Sequence, residues 1–355
     1  MRVLHVYHDF HPIRGGIEDY LADLTRAQAA QGLECIVLCA NDAPLTRGAH
    51  WHGVRILRAA AFGRYFTPFC PTWPLWIARL KPDVVPLHLP CPLGEWSVAL
   101  ARARRLVVSL HNDYVRPRLA LRWHRPLHRA ILRRAAAIIV SSEDYARTSA
   151  VLAGLDAKFA VIPYGIDLAR YVPRSAGAVV GTPILFAGRL CYYKGVEVLL
   201  AAARDVPERM TVVGDGPWRK RLHAQAARAG VQARVQFTGA VSEAALIAHM
   251  QASRLFAFPS TQRSEAFGIG ALKAMACGLP VVSSDLPGVR WLNRHDETGL
   301  TVPARDACAL ADALNRLVGD EPLRARLAAN AHERAQKFTL ARMVHETQRV
   351  YEQGG

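Results

Sequence analysis

Two basic residues and one acid, set among glycines, are the side chains of this sequence best suited to chemistry on an anion. Arg189 and Lys194 lie in Gly188-Arg189-Leu190-Cys191-Tyr192-Tyr193-Lys194-Gly195-Val196, directly after the apolar run Pro183 to Ala187. A guanidinium offers phosphate oxygens a planar fork and an ammonium a compact charge, each contact contributing roughly 1.5 to 3 kcal/mol. A purely structural ion pair would use the same residues. Glu265 belongs to the stretch Ser264 to Pro280, which reads as an acidic loop, a helix opening at Phe267, Gly268 and Ile269, and a glycine stop at Gly278; a buried strand follows from Pro280-Val281-Val282. Unpaired N–H groups at such an opening, around Gly268 to Gly270, would point at phosphate oxygens. A carboxylate ahead of them could orient sugar hydroxyls, and a helix cap would explain Glu265 equally well. Gly214-Asp215-Gly216-Pro217 ends another apolar run in a turn able to approach a ligand closely, a turn common in any α/β protein. Near the start, Gly15-Gly16-Ile17-Glu18 opens a helix where backbone could meet a phosphate; taken alone, a glycine pair marks a tight turn.

These loops need strands to hold them. Short β-branched runs at 3–7, 34–39, 84–87, 106–110 and 137–141, and again at 183–187, 210–213, 235–238, 254–257 and 280–283, alternate with helical stretches. Such alternation means crossover units and parallel sheets covered by helices on both faces. The series occurs twice, separated by the proline- and glycine-rich segment 161–177, so the sequence predicts an amino-terminal domain over 1–172, a carboxyl-terminal domain over 173–338 and a final helix over 339–355 that packs back on the first domain. Ligands of doubly wound sheets bind beyond the carboxyl ends of the strands, where all the loops named above begin.

Composition limits the partners. Lys plus Arg outnumber Asp plus Glu by 45 to 29, a formal charge of +16, and ten arginines fall between Arg102 and Arg134 against the single acid Asp113. No helix-turn-helix, zinc-finger, RNP or KH signature accompanies them, which argues against a nucleic-acid partner. Arginines at 118, 122, 125, 129 and 133, opposite Leu121, Leu127, Ile131 and Leu132, describe a basic amphipathic helix over 116–134 that Pro126 should kink or split, suited to an anionic membrane surface or simply to solvent. Phe62, Tyr65, Phe66, Phe69, Trp73 and Trp76 crowd a proline-broken segment unsuited to a regular helix. The seven cysteines contain no C-x-x-C pair, so no disulfide framework is expected; no run of eighteen apolar residues occurs, and neither a signal peptide nor a spanning segment is expected. A cytoplasmic protein, at most peripheral on the inner face of a membrane, is expected.

Taken together, these motifs resemble the retaining glycosyltransferases of family 4, which have the GT-B fold of two Rossmann-like, doubly wound α/β domains facing across a cleft. The resemblance rests on Gly15-Gly16-Ile17-Glu18, His111-Asn112-Asp113, Gly188-Arg189-Leu190 through Lys194-Gly195-Val196, Gly214-Asp215-Gly216-Pro217 and Ser264 to Pro280. It implies transfer of a hexose from a nucleotide diphosphate sugar, with GDP-mannose ahead of a UDP-hexose, to a glycan or polyprenyl-diphosphate-linked acceptor of bacterial cell-surface polysaccharide synthesis. Retention at the anomeric carbon, no metal and no cofactor are implied as well. Carried onto this chain, the resemblance gives catalytic roles to His111, Arg189, Lys194 and Glu265. It gives donor binding to Gly15, Gly16, Gly188, Gly214, Asp215, Gly216, Phe267, Gly268, Ile269, Gly270 and Lys273, and acceptor contacts to Glu18, Asp113 and Arg116. The leaving phosphate oxygen would take the acceptor's proton, so no separate protein base is expected.

One position departs from the family. Eight residues after Glu265 a second glutamate usually clasps the ribose diol, and here stands Lys273. An ammonium can only donate hydrogen bonds, and a cation early in a helix opposes the macrodipole. Two outcomes stay open: Lys273 adds charge for the phosphates in an active enzyme with altered ribose contacts, or donor affinity is lost and the chain is a weak or inactive nucleotide-sugar-binding protein of the same fold; Lys273→Glu should tighten donor binding, and weaker binding would make the lysine an adapted ligand.

Overall fold

The computed structural model describes residues 1–63, 69–114, 118–155, 158–173 and 183–353, with the backbone alone for 118–121. The chain divides into two compact units, Met1–Gly165 with Leu340–Gly355, and Ile166–Thr339.

The first unit is built on strands β1 (Arg2–Val6), β2 (Glu34–Ala40), β3 (Arg47–Trp51), β4 (Val54–Ala59), β5 (Val85–Leu89), β6 (Leu106–Leu110), β7 (Ala137–Val140) and β8 (Phe159–Val161). Between them run helices α1 (Gly16–Ala30), α2 (Trp73–Leu80), α3 (Pro92–Leu100), α4 (Arg118–Arg134) and α5 (Glu143–Thr148). The sheet order is β3-β4-β2-β1-β5-β6-β7-β8, and every pairing is parallel except that of β3 with β4. Central strands read as unbroken apolar runs because helices cover both faces: every residue of β5 and β6 is buried. The β3–β4 hairpin escapes sequence reading because β3, Arg-Gly-Ala-His-Trp, has almost no buried face. Its turn is His52-Gly53, both at positive φ (46° and 80°), the pair a tight two-residue hairpin turn requires.

Two expectations are corrected here. Trp73–Leu80 is a helix, since Pro74 falls in its first turn, where its fixed φ suits a helix and no N–H is missed. Helix α4 runs through Pro126 without splitting; Arg122, Trp123, Arg125 and Pro126 are exposed, so water can satisfy the freed carbonyl.

The second unit has strands β9 (Ile184–Ala187), β10 (Met210–Val213), β11 (Val235–Gly239), β12 (Leu255–Phe258), β13 (Val281–Ser284) and β14 (Gly299–Val302), all parallel, in the order β11-β10-β9-β12-β13-β14. Helices α6 (Val196–Ala202), α7 (Arg219–Arg228), α8 (Glu243–Gln251), α9 (Ile269–Ala276), α10 (Pro287–Leu292), α11 (Ala307–Gly319) and α12 (Glu321–Ala335) cover it. The strand order reverses between β9 and β12, the switch point at which such sheets bind ligands. A last helix, α13 (Leu340–Glu352), returns to the first unit and packs on α1 through buried Met343, Val344, Thr347 and Tyr351. The units part after Gly165 rather than at residue 173, because Ile166 N donates to Phe338 O (3.0 Å) and Tyr171 is buried with its hydroxyl on Glu243.

Candidate functional site

In the second unit the residues singled out from the sequence gather at the carboxyl ends of β9 and β12. The loop after β9 is sewn to its neighbours by backbone hydrogen bonds: Gly188 N to Val213 O (3.0 Å), Leu190 N to Asp215 O (2.9 Å) and Thr261 N to Tyr193 O (2.7 Å). This stitching is what the glycines serve. A Cβ on Gly214, whose φ is +132°, would lie 2.0 Å from Gly188 O; one on Gly216 would lie 2.4 Å from Leu190 O; one on Gly195, at φ +70°, would lie 1.8 Å from Pro259 O. The close approach read at Gly214 and Gly216 is therefore already made to protein backbone. Asp215 caps Gly216 N with one oxygen and pairs with Arg219 through the other.

Within this frame Lys194 Nζ meets Glu265 Oε2 at 2.5 Å and lies over the rings of Tyr193 and Phe258. Ser260 Oγ donates to the same carboxylate oxygen at 3.1 Å. Burial works against the lysine charge, but the neighbouring carboxylate outweighs it and holds the Lys194 pKa above its ordinary value. Arg189 is exposed and has no carboxylate partner among the described residues. Helix α9 opens at Gly268, which is left-handed (φ +99°) and packs on the Phe258 ring. A Cβ on Gly270 would lie 3.4 Å from Ala187 O at the end of β9, and the amides of Ile269 and Gly270, at the start of the helix, have no partners inside it. Phe267 is buried against Trp291 and Phe338, a packing role.

Lys273 is not a stray cation. Its Nζ stands 3.5 Å from Glu243 Oε1 and over the Tyr171 ring, and Tyr171 bonds to the same carboxylate. The partner is the first residue of α8, thirty positions away, which sequence spacing could not disclose.

In the first unit Gly15, the N-cap of α1, is extended, and a Cβ there would strike the Glu18 carboxylate at 2.2 Å. Gly16 is exposed as the first helical residue. Asp113 accepts from Ser149 Oγ at 2.8 Å; Arg116 lies outside the described residues. His111 follows β6, buried, and has two ring partners: its Nε2 is 3.0 Å from His88 Nδ1, and its Nδ1 is 2.5 Å from the Tyr164 hydroxyl. His88 continues to His5 (Nε2 to Nδ1, 3.1 Å), and His5 Nε2 reaches Gln28 Oε1 at 3.0 Å. The three imidazoles stack at 5.3 Å, 12° to 20° from parallel. Burial depresses their pKa values, to about 4 for His5, well below the ordinary range for His88 and to about 3 for His111. Tyr20, Ser109, Ser141 and Tyr164 line a small hollow with His111. The available signal was a histidine in the middle of an otherwise apolar strand, at Val3-Leu4-His5-Val6 and at Leu87-His88-Leu89.

A second polar cluster anchors α4. Glu95, fully buried, takes His124 Nε2 at 2.5 Å, His128 Nδ1 at 2.6 Å and the Tyr114 hydroxyl at 2.7 Å. Burial alone would raise its pKa; hydrogen bonds and charge from the two histidines outweigh that and hold it low. These hydrogen bonds clip α4 to α3. Two arginines of the basic cluster also cap carbonyls, Arg134 at Val98 O and Arg105 at Val350 O. Arg122, Trp123, Arg125 and Arg133 remain outward, Trp123 being 83% exposed. No described helix is long and apolar enough to cross a membrane.

Residues 14–170 match the family model described as glycosyltransferase family 4, and residues 181–334 the model described as glycosyl transferases group 1. The chain is similar to the D-rhamnosyltransferase WbpZ of Pseudomonas aeruginosa, 33% identical over 357 residues that cover 96% of this chain and 92% of that one. It is also similar to O-antigen chain mannosyltransferase C of Escherichia coli, 29% identical with coverage of 99% and 98%. In fold it matches the sucrose-phosphate synthase of Thermosynechococcus elongatus, with a TM-score of 0.84, 24% identity and coverage of 99% and 98%. The two α/β domains have the GT-B architecture.

Proposed function

The chain belongs to glycosyltransferase family 4 and is a glycosyltransferase of the bacterial polysaccharide and O-antigen type, and on that footing we propose that it transfers a manno-configured hexose from a nucleotide diphosphate donor, GDP-mannose before a UDP-hexose, with retention, to a glycan or polyprenyl-diphosphate-linked acceptor. The observation that carries this reading is the gathering of Arg189, the Lys194–Glu265 pair and the opening of α9 at the switch point of one parallel sheet. Fixed charge and oriented amides at that point suit a departing diphosphate, and because they are held before the ligand arrives they cost little reorganisation during transfer. Glu265, fixed by Lys194 and Ser260, keeps lone pairs for sugar hydroxyls. The sugar preference comes from the relatives: D-rhamnose is 6-deoxy-D-mannose, so both named transferases move the same ring stereochemistry. Arg189, Lys194, Gly188 and the α9 amides would hold the donor, and His111 in the first unit would serve sugar hydroxyls. The outward arginines and Trp123 of α4 would rest on anionic lipid headgroups when the acceptor is membrane-borne.

A donor panel tests this. GDP-mannose should raise the melting temperature and be slowly hydrolysed, and the transferred linkage should keep the donor's anomeric configuration by NMR. Stabilisation by UDP-glucose alone would reassign the nucleotide, and binding with neither hydrolysis nor transfer would leave a nucleotide-sugar-binding protein. Flotation with anionic liposomes at low salt tests the α4 surface, and recovery of all the protein in the pellet fraction would remove it.

A further inference from the structure

Helix α4 turns two imidazoles toward one carboxylate. His124 and His128 are four positions apart, so they lie on the same face of α4, one helical turn from each other. Facing them from α3 is Glu95, which is fully buried. His124 meets it with Nε2 at Oε2 and His128 with Nδ1 at Oε1, and the ligand atoms of all three side chains lie within 4.8 Å of one another. The Tyr114 hydroxyl donates to Glu95 Oε2 at 2.7 Å and accepts from Cys91 N at 2.7 Å, which ties the carboxylate to the N-cap of its own helix. Side-chain exposure falls from 12% at His124 to 4% at His128 and none at Glu95, so the group opens to solvent on the His124 side.

Two imidazole nitrogens and a carboxylate, held by two packed helices, are a ligand set that suits zinc, whereas magnesium and calcium take oxygen ligands. We propose that Glu95, His124 and His128 bind one zinc ion, with the fourth position left to water on the His124 side. In the metal-free protein each facing nitrogen carries a proton toward the carboxylate, at 2.5 and 2.6 Å. Zinc takes the lone pairs of those two nitrogens, and their protons pass to the opposite ring nitrogen or to solvent. Bonds of about 2.0 to 2.2 Å to one tetrahedral centre set ligand atoms farther apart than these proton-bridged pairs, so the two rings withdraw slightly from Glu95. Tyr114 keeps the carboxylate in place, as an outer hydrogen-bonding partner does for a zinc ligand. The ion cross-links α3 with α4 and, through Tyr114, steadies the loop that carries His111 and Asp113. It takes no part in glycosyl transfer, so this inference stands apart from the functional reading above.

The full chain, made without a histidine tag and stripped with a chelator, is titrated with Zn2+ against a competing indicator, and Co2+ serves as a coloured substitute. One zinc ion should bind per chain, Co2+ should give the intense visible bands of a tetrahedral site, and zinc should raise the melting temperature. His124→Gln and His128→Gln keep a hydrogen-bond donor for Glu95 and lose the imidazole; each should weaken zinc binding at least about a hundredfold and leave the metal-free melting temperature close to that of the wild type. Tyr114→Phe, which removes only the outer partner, should weaken it about tenfold. The wild-type stoichiometry and Co2+ spectrum test the site even where a variant unfolds. Failure of the wild type to bind zinc at one equivalent, or wild-type affinity in both glutamine variants, would overturn the proposal. So would loss of zinc in His8→Gln but not in His128→Gln, because His8, Asp9 and Glu18 are the other grouping of metal-type ligands among the described residues.

Discussion

Across β1, β5 and the end of β6 three stacked imidazoles lie in the core without charge, whereas at the ends of β9 and β12 a lysine and a glutamate lie 2.5 Å apart as an ion pair. Both regions face the same cost of taking polar groups out of water. The first unit meets it by letting the rings give up their protons to a hydrogen-bonded file; the second keeps the charge and supplies a counter-charge and ring faces. A neutral hydrogen-bonded file suits contact with hydroxyl groups and a held cation suits an anion, so the two regions offer different chemistry.

Removing the held cation should have the largest effect. Lys194→Met strands the buried Glu265 carboxylate and withdraws charge from the proposed phosphate position, and kcat/KM should fall about 10² to 10³-fold, with a lowered melting temperature. An equal loss in Lys194→Met and in Glu265→Gln, with stability unchanged, would mean the pair acts only on substrate. Next comes the frame: Gly195→Ala sets a Cβ 1.8 Å from Pro259 O at a φ of +70° and should cost more than about 2 kcal/mol, while Gly32→Ala, at φ +85° with open space around it, should cost about 1 kcal/mol. Equal losses in urea unfolding would show that the stitched loops can relax.

The two regions should also part on pH. His5 and His111 bind protons near 6.5 when unfolded and only near 4 and 3 when folded, so the unfolded chain takes up more protons between those values. Stability is therefore complete above about pH 6.5 and is lost progressively as pH falls toward 3, by about 2 kcal/mol per histidine at pH 5. His5→Gln should flatten that slope. Lys194, whose pKa is raised, should add no slope in this range. The smallest effect concerns Lys273. Its exchange for glutamate would face Glu243 with a like charge, so about 1 kcal/mol of stability should be lost, and adding Glu243→Lys should recover it. Whether Lys273→Glu tightens donor binding, as the family pattern suggests, is then read in a protein whose melting point is known.

Much of this molecule was legible before folding. The two series of apolar runs marked β1, β2, β5, β6 and β7 in the first unit and β9 to β13 in the second, because a strand buried on both faces needs continuous apolar sequence, and the stretch around Glu265 announced a loop, a helix opening and a buried strand in order. Strands β3, β4, β8 and β14 were missed, β3 because a polar edge strand carries no apolar run. What spacing along the chain could not determine was partnership across it. Lys194 with Glu265, Lys273 with Glu243, Glu95 with two histidines of α4, and Gln28 with His111 through two rings are pairings of residues between 29 and 83 positions apart, except within the file itself, where each link spans 23 to 83. The sequence determined which groups were present and at which strand ends they would stand. Only the tertiary structure decided which would be charged, which neutral and which way each hydrogen bond would point, because those depend on burial and on neighbours brought together by the sheets.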